Sequence, residues 1–324
     1  MQISDIRAKA NARLNGLSAN PKRLVLIHTA IALGSALLVT VISYLLSLLI
    51  DNTGGLGGLG MRSVLTTVQS VLELVVMIGM PFWQVGIFYA AIQWANGEPA
   101  SFGSLLQGFR RFGAVLGSGL LRGILFIAMG IPLSYAAVAI FALTPFSSPL
   151  LEKFAPLMEQ GTTPEQLETM LTPEYTTAVA ESAIPLLIIF ALVYLAVAIP
   201  VFYRVRFADF CVLEGLSGGR ALVKSFMITK GRCLQVLKLD LSFWWFYLLQ
   251  ALSVALCYAD SILPAIGISL PVSGVTAAFL FYILGTLCQA VLLWQYEAHR
   301  VTAYALAYRT LDGTMDAGDG VIDI

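Results

Sequence analysis

Six stretches of the chain are almost unbroken in apolar residues: about 24–50, 71–94, 119–143, 183–203, 241–259 and 272–296. A helix rises about 1.5 Å per residue, so about 20 such residues span the ~30 Å hydrocarbon layer of a bilayer. The pattern predicts six transmembrane helices, the fifth the shortest. Pro81 and Pro132 interrupt the second and third, which a bundle tolerates where neighbouring groups satisfy the freed carbonyl. The apolar run 261–270 leaves a re-entrant segment open as an alternative. The run 24–50 follows 23 mostly polar residues and exceeds a signal-peptide core of roughly 7–15, so it reads as a retained span.

Helical periodicity continues between the spans. Ile3, Ile6, Ala10, Leu14 and Leu17 recur at helix spacing in residues 1–20, and Phe102, Leu105, Leu106 and Phe109 do so just before Arg110-Arg111. Both predict amphipathic interfacial helices. The strongest such segment is 217–238, where Ser217 stands as a cap and Leu222, Val223, Phe226, Leu234 and Leu237 are apolar anchors. Arg220, Lys224, Lys230, Arg232 and Lys238 add positive charge there with no acid among them. A segment of this kind gains ~1 kcal/mol per basic residue near anionic lipid. Ordinary charge anchoring accounts for it, and specific headgroup recognition is the alternative. The short pattern shared by Leu105-Leu106 with Phe109 and Leu222-Val223 with Phe226 hints at a three-plus-three repeat.

Composition agrees with the pattern. Of 324 residues, 58% are hydrophobic and only 12% charged. Soluble domains carry roughly 25% charged residues, so a soluble fold and intrinsic disorder are both excluded. Formal net charge is zero, which leaves no global field for nucleic acid. Its distribution is uneven, however. With the N-terminus in the cytosol, all but Arg62 and Lys153 of the 19 Lys and Arg residues fall inside. The positive-inside rule therefore predicts both termini in the cytosol. Trp94, Trp244, Trp245 and Trp294 then lie at the inner ends of spans, where indole rings prefer the headgroup level. The loop 144–182 falls outside, with Glu152, Glu159, Glu165, Glu168, Glu174 and Glu181 against Lys153. Thr163-Pro164-Glu165-Gln166 and Thr172-Pro173-Glu174 are helix-start signals, the second running into the fourth span. The expectation is one polytopic domain over 1–312 and a disordered acidic tail over 313–324.

Chemistry is sparse. Gly55-Leu56-Gly57-Gly58-Leu59-Gly60 matches a dinucleotide fingerprint in letters but lacks the strand before it, and reads as a flexible turn. His28 and His299 are isolated, and no zinc motif, nucleophile elbow or phosphate loop is present. Cys211, Cys233, Cys257 and Cys288 read as free thiols. Glu73 is the one acid within a predicted span, on a face shared with Gln69 and Gln84. A carboxylate there is a proton or cation site unless the headgroup region solvates it. Gly113-x-x-x-Gly117 and Gly119-x-x-x-Gly123 permit close helix packing, within the chain or with another membrane protein or a second copy.

Ala221-Leu222-Val223-Lys224-Ser225-Phe226-Met227-Ile228-Thr229-Lys230-Gly231-Arg232, followed by Leu239-Asp240-Leu241-Ser242-Phe243 and Trp245, carries a resemblance. It resembles the signature of an uncharacterised bacterial family of polytopic membrane proteins, domain of unknown function nine-seven-five. Ile199-Pro200 with Tyr203, and Ile6-Arg7-Ala8 through Gly16, resemble other parts of it. The similarity is strong over about 186–250 and weaker elsewhere. Val201 replaces a frequent glycine and Thr229 a usual methionine. The resemblance implies a multi-pass protein of the bacterial cytoplasmic membrane and no particular activity. Asp240, entering the fifth span among basic residues, is expected to pair with a nearby cation and fix the basic segment to the bundle.

The sequence thus predicts an all-α integral membrane protein of about six spans with cytoplasmic interfacial helices. It is read as a non-enzymatic scaffold or accessory component that engages anionic inner-leaflet lipid or a partner protein, without cofactor and without nucleic acid. The alternative is a small transporter using Glu73, Gln69 and Gln84.

Overall fold

The computed structural model describes residues 2–52, 57–148, 173–265 and 275–313, and its regular structure there is helical throughout. In order these are α1 (Ile3–Asn15), α2 (Pro21–Asn52), α3 (Gly57–Asn96), the one-turn helices α4 (Phe102–Leu105) and α5 (Gln107–Arg110), and α6 (Phe112–Ala142). A 3-10 turn, Pro145–Ser147, and α7 (Pro173–Val205) follow. Then come α8 (Ala208–Leu213), α9 (Gly218–Ile228), α10 (Cys233–Leu241), α11 (Trp244–Cys257), α12 (Ala259–Ala265) and α13 (Val275–Asp312). The chain forms two compact units, Met1–Gly119 with Arg206–Ile324, and Leu120–Val205.

Among the described residues, five helices are long and apolar enough to cross a membrane: Pro21–Leu45, Thr66–Asn96, Phe112–Ala142, Ser182–Leu213 and Thr276–Asp312. They coincide with five of the six predicted spans. The fifth predicted span, 241–259, is not one straight helix. Its start belongs to α10, and α10 meets α11 at 66°. The bend forms because α10 closes on itself: Ser242 N donates to Lys238 O and Leu239 O, Phe243 N donates to Asp240 O, and Ser242 Oγ donates to Leu239 O at 2.7 Å. α11 has 14 residues, about 21 Å, short of the hydrocarbon thickness by itself. The architecture is that of a multi-span all-α membrane protein, with five to six long apolar helices.

Length also explains where the core lies. α3 has 40 residues and α13 has 38, about 60 and 57 Å, roughly twice the hydrocarbon layer. Their excess is buried in protein. The later part of α3 buries Phe82, Ile87 and Trp94, and α13 buries every residue from Val301 to Tyr308. A helix apolar all round is a central helix; in this stretch Tyr308 stacks on Phe210 of α8 and Tyr304 meets Tyr247 of α11, while α1 and α3 pack on α13 as a whole. α1 turns Ile6 (4% exposed) and Ala10 (0%) onto that packing, so its apolar stripe covers protein. Trp94, expected at a headgroup boundary, is 1% exposed inside this cap. By contrast, only 22% of the most apolar window of α2 is buried, and 17% of that of α13.

Two close backbone approaches set the cap. Gly86 on α3 lies against the backbone of Leu105, and a Cβ there would collide with it. Gly218 opens α9 against Ala114, Gly117 and Ser118, with Ala114 O at 2.9 Å from where a Cβ would stand. Gly117 thus serves close packing as expected, whereas Gly113, Gly119 and Gly123 meet nothing within 4 Å among the described residues.

In the second unit, α7 starts at Pro173 and runs unbroken through Pro185 and Pro200. Ser182 Oγ donates to Phe146 O at 3.2 Å. Gly57 to Gly60 are the first turn of α3 and not a turn between spans. The helix start at 163–166, the distal part of 261–270 and the tail from 314 lie outside the described residues.

Candidate functional site

The basic segment 217–238 folds as two helices with a break at Gly231, whose φ of +72° is a left-handed conformation that glycine adopts without strain. Ser217 occupies the N-cap position but makes no side-chain cap bond. Arg220, Val223, Met227 and Lys230 recur at helical spacing and are all exposed, Val223 at 53% and Met227 at 67%. On α10 Leu234 (71%), Lys238 and Leu241 (58%) are exposed at the same spacing, and beyond the bend Trp245 (60%) is exposed on α11. Trp244 and Trp245 stack at 3.9 Å between ring centroids. Cations and large apolar side chains are therefore exposed together at helical spacing within each of these helices.

The other two basic residues are tied to groups elsewhere in the chain, Lys224 half-buried and Arg232 exposed. Lys224 Nζ lies 2.6 Å from Glu214 Oε2 and 3.1 Å from Asp312 Oδ2. Arg232 Nη1 donates to Leu311 O at 3.2 Å, satisfying a carbonyl of the last turn of α13. Burial pulls the Lys224 ammonium down, the two carboxylates push it up, and the balance leaves it above the ordinary lysine value. The acids absent from 217–238 come from elsewhere in the chain, and Asp312 is the last helical residue of α13.

Asp240 is 8% exposed and sits in the last turn before the α10–α11 bend. Its Oδ1 lies 3.9 Å from Arg206 Nη2 and accepts from Tyr247 Oη at 3.2 Å. Tyr247 Oη is 3.0 Å from Tyr304 Oη. A phenol has one hydrogen to give, so Tyr304 donates to Tyr247 when Tyr247 donates to Asp240. The Tyr304 ring carries the Arg206 guanidinium at 4.6 Å and that of Arg300 at 5.6 Å. Arg300 is held by Glu297 through two bonds, 2.8 Å from Nε and 2.7 Å from Nη2, the fork geometry that suits a buried pair. Two cations and two carboxylates thus neutralise one another around a tyrosine pair, where α10, α11 and α13 meet. His28, 7% exposed on α2, lies within the field of Glu297.

The second-span residues come together only in part. Gln69 Nε2 donates to Glu73 Oε1 at 2.9 Å, and Glu73 is exposed. Gln84 is 11 positions further along the same face, about 16 Å away along the axis. No group of three or more His, Cys, Asp or Glu residues among the described ones forms a metal-binding cluster, and all four cysteines are free thiols.

Sequence reading missed Arg206, Tyr247, Glu297, Arg300 and Tyr304. The available signal was Glu297 and Arg300 at i, i+3 on a helix otherwise apolar over the next two turns. Comparison with protein-family models, with curated proteins and with solved structures finds no match in any of the three.

Proposed function

We propose that the protein is a non-enzymatic scaffold of a bacterial cytoplasmic membrane, with both termini in the cytosol, that engages the anionic inner leaflet through the outer face of α9 and α10. One observation carries this reading: Arg220, Lys230 and Lys238 are exposed at helical spacing with Val223, Met227, Leu234 and Leu241 along α9 and α10. Apolar anchors reach the acyl boundary while the basic heads meet lipid phosphate, the division of labour of an interfacial helix. The resemblance of residues 186–250 to a polytopic bacterial family fits the same location.

The test compares the protein with a variant carrying Arg220→Gln, Lys230→Gln and Lys238→Gln in nanodiscs of mixed phosphatidylcholine and phosphatidylglycerol. Lipid analysis of the retained annulus is expected to show phosphatidylglycerol enrichment that falls about fivefold per charge removed, from ~1 kcal/mol each. An unchanged annulus would refute the reading. Orientation is tested with an impermeant thiol reagent on intact cells: a cysteine at position 230 should stay unlabelled until the membrane is opened.

A further inference from the structure

A second feature lies apart from the α9–α10 face. A cavity of about 650 Å³ opens between the end of α1, the linker to α2, and α13 where it passes residues 295–299. This falls in the size range of small-molecule sites, roughly 300–1,000 Å³. Asn11, Asn15, Ser18, Lys22, Tyr296 and His299 are among the residues that line it. No Asp or Glu is among its lining residues.

The chemistry of this wall is donor-rich and cationic. Lys22 has no carboxylate partner among the described residues. Its Nζ donates to Gln295 Oε1 at 3.1 Å and stands 5.7 Å from the Trp294 ring centroid. An ammonium has three hydrogens, so two remain for another acceptor. Arg7 O accepts from His299 Nε2 at 3.2 Å, and the Arg7 guanidinium rests 5.0 Å from the Phe243 ring, so α1 is pinned as the cavity wall. Trp294 and Tyr296 are exposed at 40% and 45%, and such rings prefer headgroup depth. Amides, hydroxyls and one ammonium whose described partners include no carboxylate match, at that depth, an acceptor group of several oxygens with negative charge.

We infer that this cavity binds a phosphate group, carried by an anionic phospholipid of the adjacent leaflet or by a small soluble phosphate. Lys22 supplies the charge, and Asn11, Asn15 and Ser18 supply neutral donors. The site does not depend on the function proposed for α9 and α10.

Full-length protein in phosphatidylcholine nanodiscs is exposed to phosphatidylglycerol in one arm and inorganic phosphate in the other, with retention read by native mass spectrometry and stabilisation by thermal shift. Lys22→Gln should weaken binding about tenfold, through loss of a charge-assisted bond, and Lys22→Arg should restore it. Ser18→Trp, which fills the cavity from the linker and leaves every helical residue unchanged, should weaken binding equally. The triple variant of Arg220, Lys230 and Lys238 should leave it unchanged. Lys22-dependent retention of phosphatidylglycerol assigns the site to lipid; Lys22-dependent stabilisation by phosphate alone assigns it to a soluble ligand. Binding of neither, or binding that Lys22→Gln and Ser18→Trp leave intact, overturns the proposal.

Discussion

Lys224 Nζ lies 3.1 Å from Asp312 Oδ2, so a lysine on α9 holds the last residue of α13. Glu214, from the turn after α8, shares the same ammonium at 2.6 Å. The lysine side chain is 30% exposed, and solvent-screened ion pairs are worth roughly 0.2–1 kcal/mol. Asp312→Asn should therefore lower global stability by no more than about 1 kcal/mol. Its local effect should be larger: hydrogen exchange of the peptide covering the last turn of α13 should quicken while Val301–Leu306 stays protected. Equal exchange in both segments would show that the tie is idle.

The same cluster predicts a pH window. Lys224 is held above its ordinary value in the folded protein, so its contribution is complete below the unfolded lysine pKa of about 10.4. That contribution is lost as pH rises through the higher folded value. Protection of the last turn of α13 should thus be flat from neutral pH to about 10 and fall beyond it. In Lys224→Gln the alkaline step should vanish, protection being low throughout. A step persisting in that variant would assign the titration to another group.

Five spans were legible because runs of about 20 apolar residues have few other uses. The bend between α10 and α11 was not, since Ser242-Phe243 carries neither glycine nor proline and the turn is made by bonds back to Lys238 and Leu239. The continuation of α13 was hidden by Glu297, His299 and Arg300, which look like the end of a span. In the fold Glu297 and Arg300 satisfy each other, and the helix continues. Periodicity marked 217–238 as an amphipathic basic segment, but the ties of Lys224 and Arg232 to the end of α13 did not follow from it. Their partners, Asp312 and Leu311, are 88 and 79 positions away, and local spacing carries no trace of such pairs.

Glycine substitutions separate close packing from mere helix content. A Cβ at Gly218 would collide with the backbone of Gly117 and Ser118, and one at Gly86 with that of Leu105. Backbone cannot swing away as a side chain does, so Gly218→Ala and Gly86→Ala should each cost about 2 kcal/mol or more. Gly113→Ala and Gly123→Ala meet open space and should be neutral or stabilising by up to about 1 kcal/mol through helix propensity. Thermal unfolding in one detergent ranks the four. Tolerance at Gly218 would remove the close approach of α9 to α6.

The Glu297–Arg300 pair gives the sharpest stability prediction. Their side chains are 4% and 13% exposed, so removing one partner strands a charge in a dry site. Glu297→Gln should destabilise by roughly 3–5 kcal/mol, far more than any change at Lys224. The cost comes from the orphaned guanidinium, not from a large intrinsic worth of the pair. Replacing both partners with apolar residues of similar volume, Glu297→Leu with Arg300→Met, should recover at least half of the loss. Recovery is bounded because Arg300 also covers Phe246 at 5.3 Å and Tyr304 at 5.6 Å, contacts a methionine makes only in part. Denaturant titration of the wild type, Glu297→Leu, Arg300→Met and the double variant closes the cycle. A double variant as unstable as the sum of its singles would mean that Glu297 and Arg300 act independently, each through partners other than the other.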